Sequence, residues 1–310
     1  MKSLLMEAIF APTHVGWIGG KAPGVGAVRT PGQVPPSYSC LPIVRPGARG
    51  YDARGERSWF RETDRGPIMT ADFFTMQPGE TAAPLPPGPV LCTGTAAMRR
   101  IHRFFLWAYG EAPGLVRSVR AGDTERAAYV GEVLGNFDKV LHIHHEGEDL
   151  LMYPQLKERA PACALHVGLM LEQHRQVTQR LDAIGPVRLR WMETADEETA
   201  AELAALYEDL SALLNVHLRR EVTEVMPAVD RVLTEKEAAA VGQHGIKQFD
   251  KKFMVSYLGM VLSTNPPADR AELFKEIPPP VRLAYRLVGR RMYRKQYSML
   301  FPGRPVPETL

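Results

Sequence analysis

The stretch His144-His145-Glu146-Gly147-Glu148-Asp149-Leu150-Leu151-Met152-Tyr153-Pro154 decides how this chain is read. It closes a run in which Val130, Leu134, Phe137 and Leu141 recur at helical spacing, and His144, Glu148 and Leu151 continue the same stripe. An α-helical turn takes about 3.6 residues, so positions three and four apart share a face. That face should meet a core, where an unpaired imidazole or carboxylate costs on the order of several kcal/mol. A second stretch, His217-Leu218-Arg219-Arg220-Glu221, ends the stripe Leu203, Leu206, Leu210, Leu213 in the same way. The same costly arrangement, met twice, implies a compensating partner, and a metal is the simplest one.

Two further stripes lie around these. Met98, His102, Phe105 and Tyr109 mark a helix that Pro113 should disturb, and Asp123 can cap the helix that leads to His144. Pro154 should kink or end that helix. Val167, Met170, His174, Val177 and Leu181 mark the next, which Gly185-Pro186 should stop. A capping box from Thr194 to Glu197 should open the helix that carries His217. Four amphipathic helices with short breaks predict an all-α fold, an antiparallel up-down four-helix bundle over residues 93–234.

The flanks differ. Residues 1–92 hold 13 of the 26 prolines and 12 of the 26 glycines with no sustained periodicity, which predicts a loop-rich, disordered leader. The internal Met69 would make a reasonable start to the folded part, and Met1–Glu7 reads as a poor signal peptide. The leader glycines around Gly16 lack the strand-to-helix setting of a phosphate loop. Residues 235–310 read as a helical C-terminal extension docked on the bundle, with an apolar piece at 247–263 and a basic, aromatic helix ending near residue 300.

The 38 basic and 35 acidic residues are too balanced to argue for nucleic acid. Cys40, Cys92 and Cys163 form neither a disulfide framework nor a zinc set, which fits a cytoplasmic protein. No segment reaches the roughly 18 apolar residues of a membrane span.

Each bundle helix thus sets a histidine on its inner stripe (His102, His144, His174, His217), and two add a glutamate one turn later (Glu148, Glu221). A lone histidine in such a place is most simply a core residue. Six such groups on four successive helices form a nitrogen and oxygen donor set that suits iron or manganese.

His144-His145-x-x-Glu148-Asp149 with Met152-Tyr153-Pro154, echoed by His217-x-x-x-Glu221 with Met226-Pro227, resembles the repeated signature of the hemerythrin-like, HHE cation-binding family. The resemblance covers residues 95 to about 232. It implies two non-haem iron ions in a four-helix bundle, with His102, His144, His174 and His217 as terminal ligands and Glu148 and Glu221 bridging. It also implies binding or sensing of a small ligand such as O2 or NO. The chain departs from oxygen-carrying hemerythrins in three ways. Met170 stands where they have a fifth histidine, Glu221 comes four residues after its histidine where they have an aspartate at five, and the inter-helix segments are longer. His145 or His166 are the substitutes for the missing imidazole, each off the centre of its stripe. A missing ligand would leave one metal more open, so an enzyme decomposing hydrogen peroxide or reducing O2 is an alternative, as is an iron-responsive regulatory module.

Other residues carry weaker signals. Asp149 and Glu146 could orient imidazoles, whereas Trp107 and Tyr109 are simplest as core. His142 and His244 read as surface residues. Nothing in sequence near Cys163 marks a lowered pKa. The basic tail helix is most simply a solvated face, with anionic lipid or an acidic partner as the other readings.

Overall fold

The computed structural model describes residues 73–244, 249 and 251–310. Met1–Arg61 and Glu62–Leu310 are separate units by contacts, and only the second contains described residues. Most of the expected leader, including Met69, therefore lies outside the described residues. Those described are helix and loop, without a strand.

Four long helices carry the structure: α1 (Gly94–Arg117), α2 (Thr124–Gly147), α4 (Ala164–Thr194) and α5 (Glu197–Arg220). α1 packs against α2 and α5, and α4 packs against α2 and α5, which closes a ring of four. Paired contacts run in opposite order along two of these pairs. His102 meets His144 and Tyr109 meets Asp138 between α1 and α2; Gln173 meets His217 and Arg190 meets Glu202 between α4 and α5. The core between them includes Phe104, Phe105, Phe137, Leu141, Leu210, Tyr207 and Trp191, all nearly free of solvent contact. Burying a large apolar side chain contributes roughly 1.5–3 kcal/mol, so this interior dominates stability.

Local signals set the ends. Asp123 caps α2 by accepting from the Arg126 N–H. The predicted capping box at Thr194 is corrected: Asp196 caps α5 through the Thr199 N–H, and Thr194 is the last residue of α4. A reciprocal capping box stands instead at Thr234 and Glu237, opening α7 (Glu235–Gln243). The predicted stop at Gly185-Pro186 is also corrected, because α4 runs through Pro186 to Thr194. An interior proline costs roughly 3 kcal/mol, but the buried Ile184, Val187 and Trp191 each return roughly 1.5–3 kcal/mol against the bundle. Pro113 is absorbed likewise, with Leu115 and Val116 buried beyond it.

Pro154 ends nothing either. A five-residue π-turn, Glu148–Met152, links α2 to α3 (Tyr153–Arg159), and a second, Glu221–Val225, links α5 to α6 (Met226–Val232). Each π-turn begins at a stripe glutamate, six residues before Pro154 or Pro227. A proline ring clashes with the carbonyl four residues back, and widening the turn relieves this without ending the helix.

Residues 73–92, expected as the end of the leader, lie against the bundle. Ala83 N–H bonds to Glu224 O, Leu91 N–H bonds to Asp230 O, and Glu80 pairs with Arg219. The extension comprises α8 (Lys251–Ser263), α9 (Pro267–Glu276), α10 (Pro279–Ala284), a π-turn (Tyr285–Gly289) and α11 (Arg290–Leu300). α8 packs on α1 and α11. Arg100 and Arg103 of α1, both nearly buried, reach Glu276 and Asp269 of α9.

Candidate metal centre

The six stripe residues meet at one level of the bundle, where α2 and α5 pass into their π-turns. Glu148, Glu221, His102 and His217 have no solvent exposure, and His174 is nearly as buried. Glu148 Oε1 lies 3.0 Å from His144 Nε2, and its Oε2 lies 3.6 Å from His174 Nε2. Glu221 Oε2 lies 3.3 Å from His102 Nε2 and 3.9 Å from His217 Nε2. Each carboxylate thus touches one imidazole of the α1–α2 pair and one from the far side.

His145, which sequence reasoning held only as a substitute, belongs to the far side. Its ring stacks on His174 with centroids 4.1 Å apart and stands edge-on to His217 at 5.0 Å. Donor atoms fall into compact groups of His102, His144 and Glu148, of His145, His174 and His217, and of Glu148, His174 and Glu221. His166 stays outside and bonds to the Thr81 carbonyl. His142 is exposed, and His244 pairs with Glu146 at 2.9 Å, so Glu146 orients none of these imidazoles. Tyr109 and Trp107 are core residues.

Hydrogen bonds on the outer nitrogens fix which way the lone pairs point. His102 Nδ1 faces the Leu218 carbonyl at 3.0 Å, an acceptor only, so Nδ1 carries the proton. His174 Nδ1 donates to Asp149 Oδ1 at 2.7 Å, and His217 Nδ1 faces Gln173 Oε1 at 3.1 Å. Each Nε2 is therefore left as a bare acceptor, which is how metal-binding imidazoles are oriented. Sequence patterning missed Gln173, Leu218 and Tyr153; a backbone carbonyl leaves no sequence signal.

The interior has acceptors facing acceptors. The Nε2 atoms of His145, His174 and His217, both Glu148 oxygens and Glu221 Oε2 are buried without a hydrogen-bond partner. Such groups are rarely left so, and each costs roughly 1–3 kcal/mol. Protonating the imidazoles does not resolve this. Burial, reinforced by His102, lowers the His144 pKa to about 3, and burial with His174 lowers His145 and His217 well below the ordinary value. Burial first, then the Glu221 charge, raises Glu148 well above the carboxylate range. Burial acts on Glu221 too, but the nearby His102, His217 and His174 imidazoles outweigh it and hold its pKa down. The protein's own groups accommodate one negative charge, and a cation is needed for the second. Five imidazoles and two carboxylates with inward lone pairs fit such ions, and the donor set suits iron or manganese.

Tyr153 donates its hydroxyl to Glu221 Oε1 from the first turn of α3. Burial and the two glutamates raise its pKa well above the ordinary value, which keeps it a donor. A cavity of about 220 Å³ is lined by Asp149, Tyr153, Pro154, Lys157 and Leu171, and so touches two residues that hold the inner groups. Cys163 is buried beside the Pro84 carbonyl and burial raises its thiol pKa, the reverse of an activated thiol.

Comparison with known families agrees with this arrangement. Residues 93–229 match the hemerythrin HHE cation binding domain. The match spans α1, α2, α4 and α5, the helices that carry the candidate metal-holding groups. The segment 73–92 and the C-terminal extension lie outside it. No curated protein and no solved structure matches the chain. No helix among the described residues is long and apolar enough to cross a membrane.

Proposed function

We propose that α1, α2, α4 and α5 form an antiparallel up-down bundle holding two non-haem iron ions, at which the hemerythrin-type domain binds or senses a small ligand such as O2 or NO. The observation that carries this reading is the cluster of buried, unpartnered Nε2 and carboxylate atoms, because cations satisfy both their lone pairs and their charge. His102 and His144 would hold one ion, and His145, His174 and His217 the other, with Glu148 and Glu221 between them. When bound, the ions supply two electrons that can be shared reversibly with O2 or a related ligand. The α1–α2 side offers two imidazoles against three, so an ion held there would have fewer protein ligands.

The remaining chemistry belongs to the chain. Leu218, Asp149 and Gln173 hold three imidazoles in the tautomer that presents Nε2. Tyr153 stabilises negative charge on Glu221 by donation, and its hydroxyl is the nearest protein proton to that oxygen. The surrounding Phe105, Leu141 and Leu218 exclude water. A water-poor, apolar shell limits the supply of protons to the centre, which reversible binding would require. His145 supplies the imidazole whose expected absence argued for a peroxide-decomposing or O2-reducing enzyme, and this favours the binding reading. The test is metal analysis of the purified chain, followed by anaerobic reduction and addition of O2 or NO under an absorption spectrometer. The expected result is about two irons per chain and a reversible, ligand-dependent charge-transfer band. Catalytic consumption of hydrogen peroxide would replace this reading with the enzymatic one, and equal iron in wild type and His217→Ala would remove both.

A further inference from the structure

The C-terminal extension carries a charge pattern that the metal centre does not use. Residues 73–276 hold 22 Lys and Arg against 28 Asp and Glu, whereas residues 277–307 hold seven Lys and Arg and no acidic residue. The helical path from Pro279 to Leu300 buries Ala284, Tyr285, Gly289, Tyr293, Tyr297 and Leu300 against the molecule. Its other side is open, with Leu283 58 %, Leu287 63 % and Val288 45 % exposed among Arg286, Arg291 and Lys295. No ion pair forms at these three cations among the described residues; Arg286 lies over the Phe274 ring at 5.1 Å.

We infer that this outer face of α10 and α11 docks on an anionic lipid surface, with the cations at the headgroups and Leu283, Leu287 and Val288 entering the interface. Cations and aliphatic side chains interleaved on one exposed helical side are the pattern of interfacial helices, and each cation near an anionic leaflet adds to binding. Charge and side-chain chemistry favour this occupant. Residues 1–72 carry nine Lys and Arg against six Asp and Glu, so the remainder of this chain is repelled rather than attracted. Nucleic acid would use aromatic rings for stacking, and Tyr285, Tyr293 and Tyr297 are buried. An acidic polypeptide complements the cations but gives no reason for aliphatic side chains on the same exposed side.

The experiment is sedimentation of the full chain with vesicles of phosphatidylcholine alone, and of phosphatidylcholine with roughly one-third phosphatidylglycerol, at low and raised salt. Wild type should sediment with the anionic vesicles, not with the neutral ones, and less at raised salt. Arg291→Glu with Lys295→Glu should weaken binding roughly tenfold or more, and Leu287→Gln severalfold, each with an unchanged circular dichroism melt. Absence of binding to anionic vesicles at low salt, or equal binding to neutral ones, would overturn the inference. So would full binding by Leu287→Gln alongside loss in the charge-reversed chain, which would leave an electrostatic patch suited to an acidic polypeptide.

Discussion

His145 and His174 lie face to face, ring centroids 4.1 Å apart and planes 13° from parallel, although they belong to different helices. Both rings are buried, and neither Nε2 has a hydrogen-bond partner. Two neutral imidazoles gain little from stacking alone. Their donor atoms form one compact group with that of His217, which makes His145 the candidate fifth imidazole of the proposed metal pair.

If so, His145→Ala should lose at least about half of its iron, while His166→Ala, whose ring bonds to Thr81 O on the outside, should keep the wild-type content. Metal analysis of the two purified variants decides between them. Equal iron in His145→Ala and wild type would return His145 to the core.

Tyr153→Phe removes one hydroxyl and little volume. The Glu221 oxygen then loses its donor, and loss of such an outer partner typically weakens metal binding roughly 10–100-fold. Competition with a chelator measures this, and unchanged far-ultraviolet circular dichroism separates it from unfolding.

A second buried polar group has no part in the metal site. Asp138 accepts from Tyr109 and Tyr207 and lies 3.5 Å from Arg188 Nε. Burial raises its pKa from 3.8 to about 6, although Arg188 and the two tyrosines act the other way. Between these values the native state binds a proton that the unfolded chain has released. Stability from this group is therefore greatest at low pH and declines as pH rises from about 4 to about 6, by on the order of 2–3 kcal/mol. The difference in unfolding free energy between wild type and Asp138→Asn should shrink, then reverse, across that window. A difference that grows with pH would contradict the sign.

Ala195 ends α4 in the left-handed region, at φ 48° and ψ 32°, where a β-carbon costs roughly 1–2 kcal/mol. Glycine relieves this at a smaller entropic cost. Ala195→Gly should therefore stabilise the protein by about 0.5–1 kcal/mol, read as a higher midpoint of denaturant unfolding. A lower midpoint would mean that the methyl group, which is buried, matters more than the backbone.

Asp269 sits on α9 and holds the buried Arg103 of α1, beside Asn265. Truncation to alanine leaves Arg103 with a weaker set of acceptors. Because Asp269 is itself partly exposed, about 1–2 kcal/mol is the reasonable loss rather than the larger cost of breaking a fully buried pair. The expected readout is faster limited proteolysis in 265–310 with iron content unchanged.

Much of the site could be read along the chain. His102, His144, Glu148, His174, His217 and Glu221 each continue an apolar stripe, so periodicity alone placed them on one inner face. The breaks were less legible. Pro113 reads as a disturbance, Pro154 as a kink or an end and Pro186 as a stop, yet the helical path passes all three, because burial of Leu115, Leu156 and Trp191 beyond them outweighs one lost hydrogen bond. The segment 73–92 reads as too rich in proline and glycine to pack, but it needs only a few anchors, such as Ala83 on the second π-turn and Leu91 on α6.

The sequence by itself determined that there are four amphipathic helices and put six of their polar residues on the inner stripes, since both follow from a 3.6-residue period that is local. Only the tertiary structure decided that His145 joins them. It lies one residue, about 100° of turn, from the His144 stripe, and no single helix says whether that direction is buried. In a bundle each helix faces two neighbours, so the buried arc is wider than one stripe, and α4 with α5 covers the direction that His145 takes. The orienting partners Leu218, Asp149, Gln173 and Tyr153 were settled the same way, by which helices meet and at what level.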